Sequence, residues 1–252
     1  MELSSSLDSS QFQHTPYYCE ENVYLLCKKL CANGTAEADG SDLFVVFISN
    51  EKKQACRTGK KVSLCYRLES VWHAVGNKSC YIPLWHQKAS QRADGVVLWD
   101  YHVICVQRKK GGDSPCLVWD LDSSLPFPTP LAPYVSETIQ PSFQLFSEYQ
   151  RTFLLGIRFF RIVHAPVFLR CFASDRRHMK DSAGNWIAQP PAYEPIVAED
   201  KTEHNLNEYN EIRAAEVSVN VEPDLINAVY TNKLGVVLSE NQLEEFFTQV
   251  SS

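Results

Sequence analysis

Three residues of this chain have the types and setting to do chemistry together: Cys19, His102 and Asp120. Cys19 stands in Thr15-Pro16-Tyr17-Tyr18-Cys19-Glu20-Glu21-Asn22, a stretch that reads as the opening of a helix. Thr15 is a capping residue, and Pro16 suits the first helical position. Unpaired N–H groups in a first helical turn favour an anion, so a thiol there is suited to ionise below its ordinary range and act as a nucleophile. A cysteine so placed also fits a small buried hydrophobe. His102 and Asp120 lie in two β-type runs, residues 96–106 and 116–122, separated by a turn at Gly111-Gly112. In a hairpin folded symmetrically about Gly111, each stands nine positions from that glycine and the two oppose each other, with Cβ atoms about 5 Å apart. A carboxylate at that distance can accept an imidazole N–H and fix its tautomer. A one-residue slip would put them on opposite faces. Asp100 and Asp122 compete as orienting carboxylates, and an ion pair on a solvated sheet face fits the same residues.

The rest of the chain must position these groups. Val23, Leu26, Cys27 and Leu30 recur at helical spacing behind Cys19, and Asn33-Gly34 ends that helix. The unbroken apolar run at 43–48 predicts a strand buried on both faces. Phe143, Phe146, Tyr149, Phe153 and Phe160 read as helical core, and 168–172 as a short amphipathic piece. Residues 189–195 hold three prolines and predict an extended loop. At the end, Ser239 and Gln242 form a capping box before a helix with Leu243, Phe246, Phe247 and Val250 inward. Residues 53–80 show no sustained periodicity. Their Cys56, Cys65, His73 and Cys80 are nine, eight and seven positions apart, unlike the tight pairs of a zinc site, so the segment reads as a surface insertion.

With 252 residues, 44% of them hydrophobic, the chain can bury a substantial core. A net charge of -6 argues against a nucleic-acid grip, and no apolar run approaches the ~20 residues of a membrane span. Residues 1–13 read as a disordered lead-in without a secretory signature, and 14–252 as one domain. Nine cysteines, an odd number without a regular framework, suit reduced thiols in the cytoplasm or nucleus. There is no internal repeat, P-loop or dinucleotide fingerprint.

A thiol at a helix start, followed by His and Asp on neighbouring strands, is the layout of papain-like and transglutaminase-like thiol enzymes. The resemblance narrows through Tyr18-Cys19-Glu20-Glu21-Asn22, Phe47-Ile48-Ser49-Asn50-Glu51, Trp99-Asp100-Tyr101-His102-Val103 and Asp120-Leu121-Asp122 with Leu125-Pro126-Phe127-Pro128. Further matching blocks are Phe172-Ala173-Ser174-Asp175-Arg176, His178-Met179-Lys180-Asp181 and Gly184-Asn185-Trp186. In this order the blocks resemble the protein N-terminal glutamine amidohydrolase family over most of residues 17–195. Asn205-Leu206-Asn207 and Ala228-Val229-Tyr230 extend a weaker likeness. The chain departs from the family at 53–80, where it carries extra residues before Ile82-Pro83-Leu84-Trp85.

The resemblance implies an α+β fold, an antiparallel sheet packed on helices, with the catalytic Cys, His and Asp on Cys19, His102 and Asp120. It implies hydrolysis of the side-chain amide of an N-terminal glutamine to glutamate and ammonia, through a thioester and without metal or organic cofactor. Partners would then be proteins or peptides with N-terminal glutamine, met by a monomer that feeds an N-degron pathway. Glu20, Glu21, Asp100 and Asp175 are the candidate acceptors for the substrate's α-amino group. Two other readings fit the residues: a non-catalytic module binding peptide N-termini, and a thiol protease or transglutaminase on the same scaffold.

Overall fold

The structure is a computed structural model that describes residues 8–50, 82–93, 95–109, 114–139 and 158–250. Helix α1 (Cys19–Ala32) leads to β1 (Leu43–Asn50). Two short strands, β2 (Ile82–Leu84) and β3 (Val97–Trp99), form a separate two-stranded antiparallel sheet among the described residues. Then come β4 (His102–Gln107), β5 (Leu117–Trp119), β6 (Thr129–Pro130) and a four-residue helix α2 (Leu131–Tyr134), continued by a π-type turn at Val135–Ile139. The chain closes with β7 (Arg158–His164), α3 (Ala165–Cys171), α4 (Leu206–Asn210), α5 (Pro223–Val229), β8 (Val236–Ser239) and α6 (Leu243–Gln249).

The main sheet runs β6-β5-β4-β1-β7-β8 with every neighbouring pair antiparallel. Strand β1 sits in the middle and is buried along its whole length, as its unbroken apolar run predicts. Leu43, Val45 and Phe47 point to the face covered by Val23, Leu26, Cys27 and Leu30 of α1 and by Phe168 and Tyr209. Phe44, Val46 and Ile48 point to the other face, against Tyr134, Leu243, Phe246 and Phe247. Each such side chain contributes ~1.5–3 kcal/mol by leaving water. The helix that presents Cys19 is therefore fixed to the sheet that carries His102.

Several sequence expectations are corrected here. The helix begins at Cys19, with Tyr18 as its N-cap, not at Pro16 behind Thr15. Tyr17 has φ of 73°, in the left-handed region, which breaks any helix before it. Thr15 instead pairs with Asn22: its N–H donates to Asn22 Oδ1 and its carbonyl accepts from Asn22 Nδ2, both at 2.8 Å. The single strand expected over 96–106 is two, belonging to different sheets and broken at Asp100-Tyr101. Phe160 is not helical core; it lies in β7 because its backbone pairs with Ile48.

Within the expected lead-in, Ser9–Gln11 form a 3-10 turn and Phe12 is buried against Trp119 and Phe127. The capping box at Ser239 and Gln242 is present, although it caps a 3-10 turn that runs into α6. Val250 is half-buried just past that helix. The 53–80 segment, the Gly111-Gly112 turn and the aromatic residues 143–153 lie outside the described residues.

Candidate active site

The β4–β5 hairpin is antiparallel, with Cys105 opposite Trp119 and Gln107 opposite Leu117. That register differs by two residues from the symmetric one, which leaves every side chain on its expected face. Asp120, the first residue after β5, still reaches His102: Nε2 lies 3.1 Å from Oδ1. An ionised carboxylate only accepts, so Nε2 carries the proton, and in the neutral ring Nδ1 is left with a lone pair. Nδ1 is buried and has no hydrogen-bond partner. A buried polar atom left unpaired costs ~1–3 kcal/mol, and such an atom needs a reason to persist. A lone pair waiting for a proton is one.

Asp120 is held from three sides. Its Oδ1 also accepts the N–H of Asp122 at 3.0 Å, and its Oδ2 accepts the hydroxyl of Tyr134 at 2.7 Å. Burial alone would push the Asp120 carboxyl up, but the charge and hydrogen bond of His102, with the Tyr134 and Asp122 donors, hold it below its ordinary value. The converse applies to His102: burial disfavours the imidazolium, and Asp120 more than compensates, so the ring sits above its usual pKa. Trp99 stacks on the imidazole at 4.9 Å and further fixes its plane.

Cys19 is buried at the first position of α1. Its sulfur lies 3.6 Å from Glu20 Oε2 and close enough to the backbone N–H of Val103, the residue after His102, for that group to favour its charge. No hydrogen bond joins Sγ to the His102 ring. The thiol is not depressed, as the helix start alone predicts: burial, then the charges of Glu20, Asp122 and Asp100, push it well above its ordinary value. That direction favours the protonated thiol in the free protein.

The four acidic candidates fall into different settings. Glu21 is fully buried and paired with Arg176, whose Nε and Nη2 donate to its two oxygens at 2.8 Å each. Asp175 accepts from Arg177 and caps the short turn Arg176–Met179. Asp100 is half-buried and accepts the N–H of Tyr101 at 3.0 Å. Glu20 is 1% exposed, and its Oε2 takes the Tyr101 hydroxyl at 2.9 Å. Burial raises its carboxyl to about 7. Asp122, the competing orienter, pairs with His14 at 2.8 Å.

The sequence reading missed Tyr134 and Arg176, since both act through contacts distant in the chain; the Asp175-Arg176 block was visible, but nothing local linked it to Glu21. His102, Asp120 and Asp122 bring ligand atoms within 4.8 Å of one another, a spacing a metal ion could use. Both Asp120 oxygens and Asp122 Oδ1 are committed to His102, the Asp122 N–H, Tyr134 and His14, which makes the cluster a hydrogen-bonded network. Cys27 and Cys105 lie 3.7 Å apart, both fully buried as core thiols between α1 and β4. Among the described residues no helix is long and apolar enough to cross a membrane.

An α+β protein with a buried thiol at a helix start, packed on a sheet whose neighbouring strands bring a His and an Asp together, has side chains of the types that thiol-dependent acyl transfer uses. The chain belongs to the N-terminal glutamine amidase family, whose model matches residues 14–73 and 67–247. It is 60% identical over 245 residues to the protein N-terminal glutamine amidohydrolase of Arabidopsis thaliana, covering 97% of this chain and 96% of that one. It is 50% identical to the protein of that name from Oryza sativa subsp. indica, over 97% of this chain and 90% of the relative. The Drosophila melanogaster protein of that name is 36% identical over 75% of this chain and 74% of its own length.

Proposed function

We propose that this protein hydrolyses the side-chain amide of N-terminal glutamine in proteins and peptides, giving N-terminal glutamate and ammonia, with Cys19, His102 and Asp120 as the catalytic groups. The observation that carries the chemistry is the His102 ring, protonated toward Asp120 at Nε2 and unpartnered at the buried Nδ1. In this reading Nδ1 accepts the Cys19 proton as the sulfur attacks the glutamine Cδ. The imidazolium then protonates the leaving ammonia, and water, deprotonated by the same ring, hydrolyses the γ-glutamyl thioester. Backbone N–H groups at the start of α1 hold the oxyanion, a contribution of ~3 kcal/mol in comparable sites. Asp120 orients the ring within this triad, and Tyr134 acts behind Asp120 as a positioning group.

The scaffold is of the papain- and transglutaminase-like kind in this reading, and residues 14–252 act as one domain; the insertion expected at 53–80 lies outside the described residues. The identity to the plant relatives over nearly the whole chain favours amidohydrolase chemistry over a binding module, protease or transglutaminase. Work as a monomer in the cytoplasm and nucleus, upstream of N-degron recognition, follows from the same reading. Purified protein incubated with Gln-initiated, internal-Gln and N-acetyl-Gln peptides tests it. Release of one ammonia per terminal glutamine converted, with internal glutamine untouched, is the expected result. Peptide-bond cleavage, amine coupling or binding without turnover would each replace the reading with its competitor.

A further inference from the structure

Among the described residues Glu20 is the acidic group whose carboxylate contacts the sulfur of Cys19, and it is paired there with no cation. Its neighbour Glu21 is matched by Arg176, whereas among the described residues Glu20 has only the Tyr101 hydroxyl, the Cys19 thiol and its own backbone N–H as donors. Burying a carboxylate without a cation is expensive, so a cation that comes to lie beside it is favoured. The charge of Glu20 also bears on His102, whose Nδ1 is buried and unpartnered. The substrate carries one group of that sign near the amide, its α-ammonium.

We propose that Glu20, clamped by Tyr101, is the specificity-determining contact for the substrate's α-ammonium, and that arrival of this cation releases the Cys19 proton to His102. The inference rests on the amidohydrolase reading and says how that site tells terminal from internal glutamine. The groups whose charge bears on Glu20 are Cys19 and Glu21 on α1, Tyr18 before it, Tyr101 and His102 at the start of β4, and Tyr193 on the proline-rich loop. No cation is among them except His102 once protonated. With Glu20 facing an ammonium, the negative field that holds the proton on Cys19 is balanced, and Sγ–H can transfer to Nδ1. An internal glutamine brings no cation and leaves the thiol protonated. Recognition and activation are then one electrostatic event.

The test compares a Gln-initiated peptide with its des-amino analogue, in which a 4-carbamoylbutanoyl group replaces the glutamine residue and only the α-amino group is missing. The wild-type protein should prefer the amino peptide by about a hundredfold or more in kcat/KM, and Glu20→Gln should shrink that ratio to within about tenfold. In the absence of peptide, the same substitution should speed alkylation of Cys19 by iodoacetamide at neutral pH, because it removes the nearest negative charge from the sulfur. A merely structural Glu20 would not produce faster alkylation. Tyr101→Phe, which keeps the carboxylate but loosens it, should move the ratio in the same direction and serves if Glu20→Gln does not fold. An unchanged ratio in variants that remain folded, or alkylation no faster than wild type in Glu20→Gln, overturns the proposal. Failure of the wild-type protein to release ammonia from the Gln-initiated peptide overturns the amidohydrolase reading instead.

Discussion

Nε2 of His102 lies 3.1 Å from Oδ1 of Asp120, with the two side chains 0% and 3% exposed. A carboxylate in that position dictates which ring nitrogen carries the proton. Asp120→Asn replaces the charge by a neutral amide, which no longer stabilises the imidazolium and, where its NH2 faces Nε2, moves the ring proton to Nδ1. The expected result is a loss of ~10³–10⁴ in kcat with the thermal midpoint little changed. Steady-state ammonia release alongside a melting curve checks it.

Tyr134 acts on the ring through Asp120. Its hydroxyl stabilises the ionised carboxylate, so Tyr134→Phe leaves Asp120 more basic and a stronger partner for the imidazolium. The acidic limb of the kcat/KM profile should move to higher pH, and the rate at its plateau should fall about tenfold. KM should stay near the wild-type value. A profile unmoved on the acid side would mean that the hydroxyl only fills space.

The pH dependence of stability carries the mark of Glu20. A carboxyl whose folded-state pKa is raised binds its proton more tightly in the native state, so its burial costs nothing below the ordinary 4.5 and most above about 7. By that linkage the cost at pH 8 is on the order of 3 kcal/mol. Glu20→Gln should therefore raise the Tm at pH 8, and the gain should vanish as pH falls toward 4.5. A constant gain across this range would assign the effect to packing.

Glu21 and Arg176 make the opposite case, a buried pair that is already complete. Arg176→Met strands the Glu21 carboxylate and should cost ~3–5 kcal/mol in a urea titration. The double variant Arg176→Met/Glu21→Gln should recover much of that loss. Equal loss in single and double variants would show that the arginine matters through its contacts to the Pro191 and Tyr193 carbonyls.

Much of this arrangement is legible from local pattern. The doubly buried β1, the β4–β5 hairpin, the Ser239–Gln242 box and the apolar face of α1 each follow from spacing that one element displays by itself. The His102–Asp120 pairing survived a register shifted by two residues because a shift of two preserves the face. What the local pattern hides is non-local. Thr15 pairs with Asn22, seven positions on, and so loses its role as a cap. The chain breaks at Asp100-Tyr101 because its two halves pair with different partners. Arg176 meets Glu21 across 155 positions. The helix-start rule likewise suggests an acidic thiol at Cys19, whereas burial beside Glu20, Asp100 and Asp122 outweighs the helix terminus in the free protein. Iodoacetamide inactivation without peptide should accordingly rise only in the alkaline range, above that of an ordinary thiol; a profile centred near neutrality would contradict this.

The role of Cys19 itself is tested most directly by ammonia release from a Gln-initiated peptide with the Cys19→Ala protein, folded as judged by its melting curve. No release above the uncatalysed background is expected, while the wild-type protein converts the peptide to its Glu form. Turnover by Cys19→Ala within about tenfold of wild type, far less than removal of a nucleophile costs, would contradict it and move the nucleophile elsewhere.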